Sequence, residues 1–447
     1  MKRTGFLLLA MAALAASVAR APARATEGER IAANRGLEGE ERTPVPGEVI
    51  VQFRSGADDR MAERAIREAG GLRARRSAFG ARYLVEMDAG LSAQDAMRRF
   101  RSMPEVDYAE LNGVLWASQS GRFTPNDPLF ASQWHMRMVD AERTWGIQQG
   151  DPSVVVAILD SGIAYEDFGA FRRAPDFDGT TFVQGFNTFT RDNHANDDNF
   201  HGTHVASTVA EATNNGVGVS GLAFGCSLMP VKVLDRRGVG PFFGVAEGID
   251  YAVNFNQDGR RVRVINLSLG GDNVSETVTR AIDRAVAADV VVVAAAGNEG
   301  AGTATFPARL PNVIAVGAVD ARKQKAPYSN FGPDLDVVAP GGNVNRDDDG
   351  DGRPDGVLQQ TFDPRTAALS NRYDDFAYFF VQGTSQATPH VAALAALLVR
   401  QGITDAETVK RIIESTAEDL GAPGRDDTFG HGLIRPTIAL TGLGLNN

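Results

Sequence analysis

Hydrophobic and polar positions follow two different rhythms along the chain. Near the amino end they alternate or recur at helical spacing. Gly47-Glu48-Val49-Ile50-Val51-Gln52-Phe53 reads as a half-buried strand and Ala57 to Ala69 as a helix. Arg82 to Met87 then gives a second strand, Ser92 to Phe100 a second helix and Val106 to Glu110 a third strand. Strand, helix, strand, helix, strand across residues 44–116 predicts a small α+β unit able to close as a ferredoxin-like sandwich. The polar stretch 117–126 reads as a linker and processing site. Beyond it the apolar positions become continuous. Val154 to Leu159, Leu228 to Leu234, Val262 to Leu267, Val290 to Ala295 and Val313 to Val316 have the pattern of strands buried on both faces. Between them Thr203 to Ala212, Phe242 to Asn256 and Val274 to Ala288 have helical length and spacing. Residues 127–447 are therefore expected to form an α/β domain with a doubly wound, mainly parallel sheet.

Composition refines this picture in three ways. The 447 residues, 43% hydrophobic and 23% charged, suit two or three globular domains. A net charge of -11 argues against a nucleic-acid partner, which asks for a basic face, and is compatible with bound calcium. Cys226 is the single cysteine, so no intramolecular disulfide is possible, and it is expected to be a small buried hydrophobe. Residues 1–25 look like a signal peptide: Lys2 and Arg3 precede the apolar run Gly5 to Ala19, and Ala23-Arg24-Ala25 supplies a small-x-small cleavage pattern. That run is too short to span a bilayer, and no later stretch is longer, so an exported protein free of the membrane after processing is expected. Residues 26–43 lack periodicity and read as a disordered lead-in.

The candidate chemistry lies where apolar runs end. Val154 to Leu159 ends in Asp160-Ser161-Gly162, and Ala294-Ala295-Ala296 leads into Gly297-Asn298-Glu299, both at the carboxyl edge where α/β sites sit. His201-Gly202-Thr203-His204 offers a general base. Two histidines at this spacing also suit a metal pair, although no third His or Cys with ligand spacing lies near. Gly383-Thr384-Ser385 precedes the apolar run Val391 to Val399, so Ser385 opens a helix whose unpaired N–H groups favour an oxyanion, unless it is an ordinary N-cap. Pro389 fits an early helical position, where a missing N–H matters least.

In chain order the set is Asp160, His201, Asn298, Ser385, and Asp, His, Ser is the order found in subtilisin. Asp160-Ser161-Gly162-Ile163, His201-Gly202-Thr203-His204-Val205-Ala206, Asn266-Leu267-Ser268-Leu269-Gly270-Gly271, Ala296-Gly297-Asn298-Glu299-Gly300 and Gly383-Thr384-Ser385 together resemble the motifs of subtilisin-like serine peptidases. The resemblance covers roughly residues 124–440, and the preceding unit resembles the inhibitory propeptide of that family. It implies a secreted, monomeric endopeptidase made as a zymogen, with protein or peptide substrates and its own propeptide as inhibitor. Ser385 would be the nucleophile, His201 the base and Asp160 its orienting carboxylate. Asn298 would serve the oxyanion, and His204 would be non-catalytic. Ser268, Leu269 and Gly270 would pair with an extended substrate. Ala295, Ala296 and Gly297 would line the primary pocket, and Leu269, Phe242 and Val245 a more distant apolar one, unless the last two are plain helix core. Specificity would be broad and apolar-leaning. Self-cleavage would fall between about Trp116 and Phe123, with the linker lying in the cleft until then. Gln386 and Ser207 depart from the Met and Gly usual in the family.

Asp127, Asp176, Thr213, Asn215, Val217 and Val219 match positions that hold a structural calcium in the same family through carbonyl and side-chain oxygens. Asp347, Asp349, Asp351 and Asp355 form an Asp-x-Asp-x-Asp-Gly-x-x-Asp rhythm suited to a second cation, or to a solvated acidic loop. The final Glu of an EF-hand is replaced by Leu358. This insertion is expected to shape one wall of the cleft. Two rival readings stand beside the peptidase: a catalytically inactive subtilisin-fold binding protein, and a metallohydrolase using His201 and His204.

Overall fold

The computed structural model describes residues 47–112, apart from 55, 78, 79, 89 and 90, and residues 121–442. The expected signal peptide, the lead-in and the linker up to residue 120 lie outside the described residues. The chain divides into two compact units, one up to residue 119 and one from residue 120.

The amino-terminal unit runs β1 (Glu48–Phe53), α1 (Asp59–Ala69), β2 (Gly71–Arg76), β3 (Arg82–Met87), α2 (Ala93–Arg101), β4 (Val106–Leu111). Its strands pair antiparallel in the order β2-β3-β1-β4. Alternation along β1 buries Val49, Val51 and Phe53 in one core with Ile66 of α1 and Phe100 of α2. Asp58 and Ser92 cap the helix starts by accepting from Met61 N and Asp95 N, and Gly70 ends α1 in the left-handed region at φ 91°. The sequence reading found three strands here, and the structure has four. β2 went unseen because Gly71-Leu72-Arg73-Ala74-Arg75-Arg76 is a mostly exposed edge strand, arginine-rich and without apolar alternation. With β2 included, the order is the full βαββαβ of a ferredoxin-like sandwich.

The second unit is built on seven parallel strands: β5 (Val154–Asp160), β6 (Phe186–Asn187), β7 (Ser227–Lys232), β8 (Arg261–Leu267), β9 (Val291–Ala295), β10 (Ile314–Val319) and β11 (Val337–Pro340). They lie in the order β11-β10-β9-β8-β5-β7-β6. The helices are α3 (Trp134–Met138), α4 (Ala141–Trp145), α5 (His201–Ala210), α6 (Phe242–Asn254), α7 (Glu276–Ala287), α8 (Pro364–Ser370), α9 (Thr384–Arg400), α10 (Ala406–Ser415) and α11 (Pro436–Thr441). Every residue of β5 is buried, and its period of two divides it between two cores. Val154, Val156 and Ile158 pack with Val205 of α5 and Val391 of α9, while Val155, Ala157 and Leu159 pack with Ile249 of α6 and Ile282 of α7. The sheet is thus covered on both faces, as expected. From β5 the chain goes to β6 and β7 on one side, then returns to β8 on the other. The switch point falls at the carboxyl ends of β5 and β8.

Two features depart from the expected picture. Pro389 is not in the first turn of α9 but is its sixth residue, so the carbonyl of Ser385 loses its intrahelical partner. The inserted segment forms an unanticipated antiparallel hairpin, β12 (Val357–Phe362) with β13 (Phe376–Val381), packed against α5. Ser207 Oγ donates to Gln360 O at 3.2 Å, Thr361 Oγ1 to Phe200 O at 2.7 Å, and His204 Nε2 lies 3.1 Å from Phe379 O. No described residue of 343–381 is among those lining the groove that holds His201 and Ser385, and the insertion packs on the histidine helix.

Candidate active site

Asp160 is the last residue of β5 and is fully buried, with Oδ1 2.7 Å from His201 Nδ1. The same oxygen accepts from Ser161 N at 2.7 Å. His201 is the first residue of α5, and Phe200 before it sits at φ 98°, a left-handed conformation that costs about 1–3 kcal/mol for a bulky residue. Asp197 holds that turn. Its carboxylate accepts from Ser161 Oγ at 2.8 Å, Phe200 N at 3.1 Å and Thr203 N at 2.9 Å, so one side chain joins the end of β5 to the start of α5. Burial pulls the His201 imidazole down, but the charge and hydrogen bond of Asp160 outweigh it and hold its pKa above the ordinary value.

Ser385 is the second residue of α9 and shares a groove of about 610 Å³ with His201. Its Oγ donates to Ser268 O at 3.1 Å and not to the imidazole. Asn298 follows β9 and is anchored by its carbonyl: Oδ1 accepts from Thr384 N at 2.8 Å and Thr384 Oγ1 at 3.0 Å. Nδ2 makes no hydrogen bond among the described residues and is left as the donor. His204, by contrast, is buried, and burial pushes its pKa down to about 4. The metallohydrolase reading finds no support in this arrangement. Among the described residues, the only group of three or more carboxylates, histidines or cysteines with ligand atoms within 4.8 Å of one another is Asp347, Asp349 and Asp355, and neither histidine belongs to it. Cys226 is buried, and burial pushes its thiol up to about 12.

Of the expected substrate residues, Ser268, Leu269, Gly270, Phe242 and Val245 all line the groove. Phe242 and Val245 therefore face the groove, although Val245 is buried and also belongs to the core behind α6. Ala295, Ala296 and Gly297 are not on this groove. Ala295 and Ala296 are buried, and a Cβ at Gly297 would come within 2.7 Å of Thr305 Cγ2. A Cβ at Gly270 would meet Thr305 Oγ1 at 2.4 Å, so Thr305 fills the space between the two glycines. Phe123 packs on Trp145 and Phe224, the latter just before the amino end of β7, so residues 121–123 lie away from the cleft in which the linker was expected.

The first set of calcium candidates is brought together around the loop after α5. Asp127 accepts from Asn214 N, Asn215 N and Ser220 Oγ, and Asp176 accepts from Asn215 Nδ2 and Val219 N. Asn215 Oδ1 accepts from Val217 N, and Thr213 Oγ1 donates to Glu211 O. In the acidic insertion, Asp347, Asp349 and Asp355 have carboxylate oxygens within 4.8 Å of one another, and Asp351 stands outside the group. Asp351 closes a local turn by accepting from Arg353 N at 2.9 Å.

Sequence reasoning missed Asp197, Thr305, Glu211 and Lys232. Lys232 carried a signal, being a charge inside an apolar strand run. Its Nζ donates to Ser161 O at 2.6 Å and to Asp198 Oδ1 at 2.5 Å, which neutralises it and braces the turn after Asp160.

Residues 151–432 match the Subtilase family and residues 33–112 match the fervidolysin N-terminal prodomain. The chain is 34% identical over 403 residues to the thermophilic serine proteinase of Bacillus sp. (strain AK1), covering 89% of this chain and 88% of that protein. It is 34% identical to thermitase of Thermoactinomyces vulgaris over 303 residues, 68% of this chain and 94% of thermitase. Among solved structures, a protease from Pseudoalteromonas arctica superposes with a TM-score of 0.62 at 32% identity, covering 72% of this chain and 99% of that one. A parallel sheet that places an Asp–His pair, an anchored Asn and a helix-start Ser at one carboxyl edge is thus joined to sequence likeness over most of its length, and the chain belongs to the subtilase family of serine endopeptidases, with an N-terminal prodomain.

Proposed function

We propose that this subtilase is a secreted endopeptidase whose triad is Asp160, His201 and Ser385, acting through an acyl-enzyme. The observation that carries the reading is the 2.7 Å bond from buried Asp160 to His201, on the groove that Ser385 also lines. An unassisted hydroxyl is a poor nucleophile at neutral pH. His201 Nε2 takes the Ser385 proton as Oγ attacks the carbonyl and returns it to the leaving amine, while Asp160 fixes the tautomer by accepting from Nδ1. Asn298 Nδ2 and the Ser385 N–H stabilise the oxyanion. Deacylation repeats the sequence with water.

Phe242, Val245 and Leu269 support an apolar-leaning preference for residues upstream of the cleaved bond, and the Ser268–Gly270 backbone offers an edge for an extended peptide. The prodomain acts as an intramolecular inhibitor and is removed by self-cleavage, which requires the chain near Phe123 to leave its packing on Trp145 and enter the cleft. Calcium is the ion we propose for the loop beside Asp176, because two buried carboxylates, Asp127 and Asp176, converge on it and offer hard oxygen atoms. Asp176, Asn215 and the backbone of Thr213, Val217 and Val219 would hold the ion there, with Asp127 bracing the loop. The ion would supply structural charge balance, not chemistry. Asp347, Asp349 and Asp355 are the candidates for a second ion.

A fluorophosphonate probe followed by mass spectrometry tests the proposal. Labelling at Ser385 in mature-size protein, and an uncut precursor for Ser385→Ala, are the expected results. No labelling of folded, calcium-loaded protein would favour the inactive-homologue reading, and maturation of the pure Ser385→Ala protein would remove self-processing.

A further inference from the structure

The hairpin of β12 and β13 connects the backbone of His201 to that of Ser385. Phe200, the residue before His201, lies in the left-handed region at φ 98°, where a bulky residue persists only if its surroundings over-determine it. Its N–H donates to Asp197 Oδ1 at 3.1 Å, and its carbonyl accepts the first bond of α5 from His204 N at a long 3.3 Å. The shorter bond to that carbonyl comes from the hairpin: Thr361, fully buried on β12, donates to it through Oγ1 at 2.7 Å. The Phe200 side chain packs against the cluster of Phe362, Ala367 and Tyr373. Phe379 O meets His204 Nε2 and Gln360 O meets Ser207 Oγ, four and seven residues along from Phe200, so the hairpin follows one side of α5. At its other end the hairpin delivers the nucleophile, since β13 stops at Val381 and Ser385 is four residues on. The antiparallel ladder between the strands pairs Thr361 with Ala377 and Val357 with Val381. Ser385 Oγ bonds to Ser268 O and not to His201, so the separation of nucleophile and base is set by the backbone that carries each.

We infer that Thr361 is a positioning residue for the peptidase reaction: through the Phe200 carbonyl it fixes the turn that carries His201, and through its own hairpin it ties that turn to the strand leading to Ser385. The inference rests on the triad reading of Asp160, His201 and Ser385. Any buried threonine hydroxyl needs an acceptor; this one takes the carbonyl of the left-handed residue next to the base. Without the hydroxyl, Phe200 O keeps only the long bond from His204 N, and the turn loses a restraint on the side away from Asp197. A shift of His201 follows, and a misplacement of about 1 Å can cost about 10²-fold in rate.

The test is steady-state kinetics of the Thr361→Val and Thr361→Ser proteins well below their melting temperatures, with active sites counted by a fluorophosphonate probe and the rate of labelling at Ser385 measured. Valine keeps the branched shape and removes the O–H, whereas serine keeps the O–H. Thr361→Val should lower kcat and the labelling rate by about tenfold or more while KM stays within about twofold, the split expected when only the reacting geometry is lost. Thr361→Ser should return both rates to within about threefold of the parent. A Thr361→Val protein that labels as fast as the parent would overturn the inference, as would a loss that serine does not restore or a rise in KM with kcat unchanged. Thr361→Ala is the second variant and is read in the same way; failure of both hydroxyl-free variants to fold would also overturn the inference, since the hydroxyl would then be a requirement of the fold. Absence of labelling in the parent removes the triad reading and the inference with it, whereas a labelled parent with an equally reactive Thr361→Val protein removes the role of Thr361 alone.

Discussion

Ser268 and Ser385 hold each other by a reciprocal pair of hydrogen bonds. Ser268 Oγ donates to Ser385 O at 2.8 Å and Ser385 Oγ donates to Ser268 O at 3.1 Å. The first bond answers a defect four residues along α9, where Pro389 has no N–H to give the Ser385 carbonyl. Asn266 Nδ2 in turn donates to Ser268 Oγ at 3.0 Å, so the end of β8 fixes the backbone of the candidate nucleophile. Ser268→Ala should leave that carbonyl unpaired, costing about 1 kcal/mol of stability, and should lower kcat more than it raises KM. Thermal melting of the Ser385→Ala background and steady-state kinetics of the active protein check the two parts. Unchanged kcat would mean that the strand does not position Ser385.

Gly202 is a second point of contact between distant segments. A Cβ there would lie 2.1 Å from Gly162 O and 3.1 Å from Asp160 Cβ, so any side chain pushes β5 and α5 apart where His201 meets Asp160. Gly202→Ala should cost about 1–3 kcal/mol by overpacking and lower kcat/KM far more than its loss of stability explains. Kinetics well below the melting temperature separate the two effects.

Asn298→Ala removes the free Nδ2 and the anchor on Thr384 together. A fall in kcat of about 10²–10³ with little change in KM is expected, a range known for loss of the same donor in subtilisin itself. Asn298→Asp keeps the anchor oxygen and places negative charge at the oxyanion, and should be no better than alanine.

The rate should follow the protonation of His201. Its pKa is raised by Asp160 against the pull of burial, so the acidic limb of kcat/KM should fall above the ordinary histidine value of about 6.5. Asp160→Asn should move that limb to lower pH in whatever activity remains. A limb that does not move would argue against the pairing.

Acid should unfold this protein through histidines that take no part in catalysis. Burial pushes His204 and His390 each to about 4, and His390 Nε2 lies 2.9 Å from Nδ1 of His135, which burial also pushes well down. These groups are neutral when folded and take up protons near pH 6.5 when unfolded, so their stability is complete above about pH 6.5 and drains as the pH falls toward 4. The loss amounts to about 3 kcal/mol for each of His204 and His390. Melting of the Ser385→Ala protein across this range measures it, and a flat profile would contradict the burial.

What the sequence determined by itself was everything encoded in local spacing. Continuous apolar runs identified five of the seven parallel strands and missed the short β6 and β11, alternation identified β1 and β3, and the ordered motifs around Asp160, His201, Asn298 and Ser385 marked the sheet edge where the chemistry would gather. Those patterns survive in one dimension because a strand or helix face is set by neighbours two to four residues away. Tertiary structure decided what depends on residues distant in the chain. The edge strand β2 has no face to bury and so no pattern to read. Asp351 fits the acidic rhythm of its neighbours but is turned into a local bond with Arg353. Thr305 lies in no motif, yet fills the space between Gly270 and Gly297. Glu211 looks like any polar residue at a helix end, and only the fold buries it completely. Spacing reveals which side chains share a face; it cannot reveal which polar atoms will find no partner, because that is settled by segments that meet only in the folded protein.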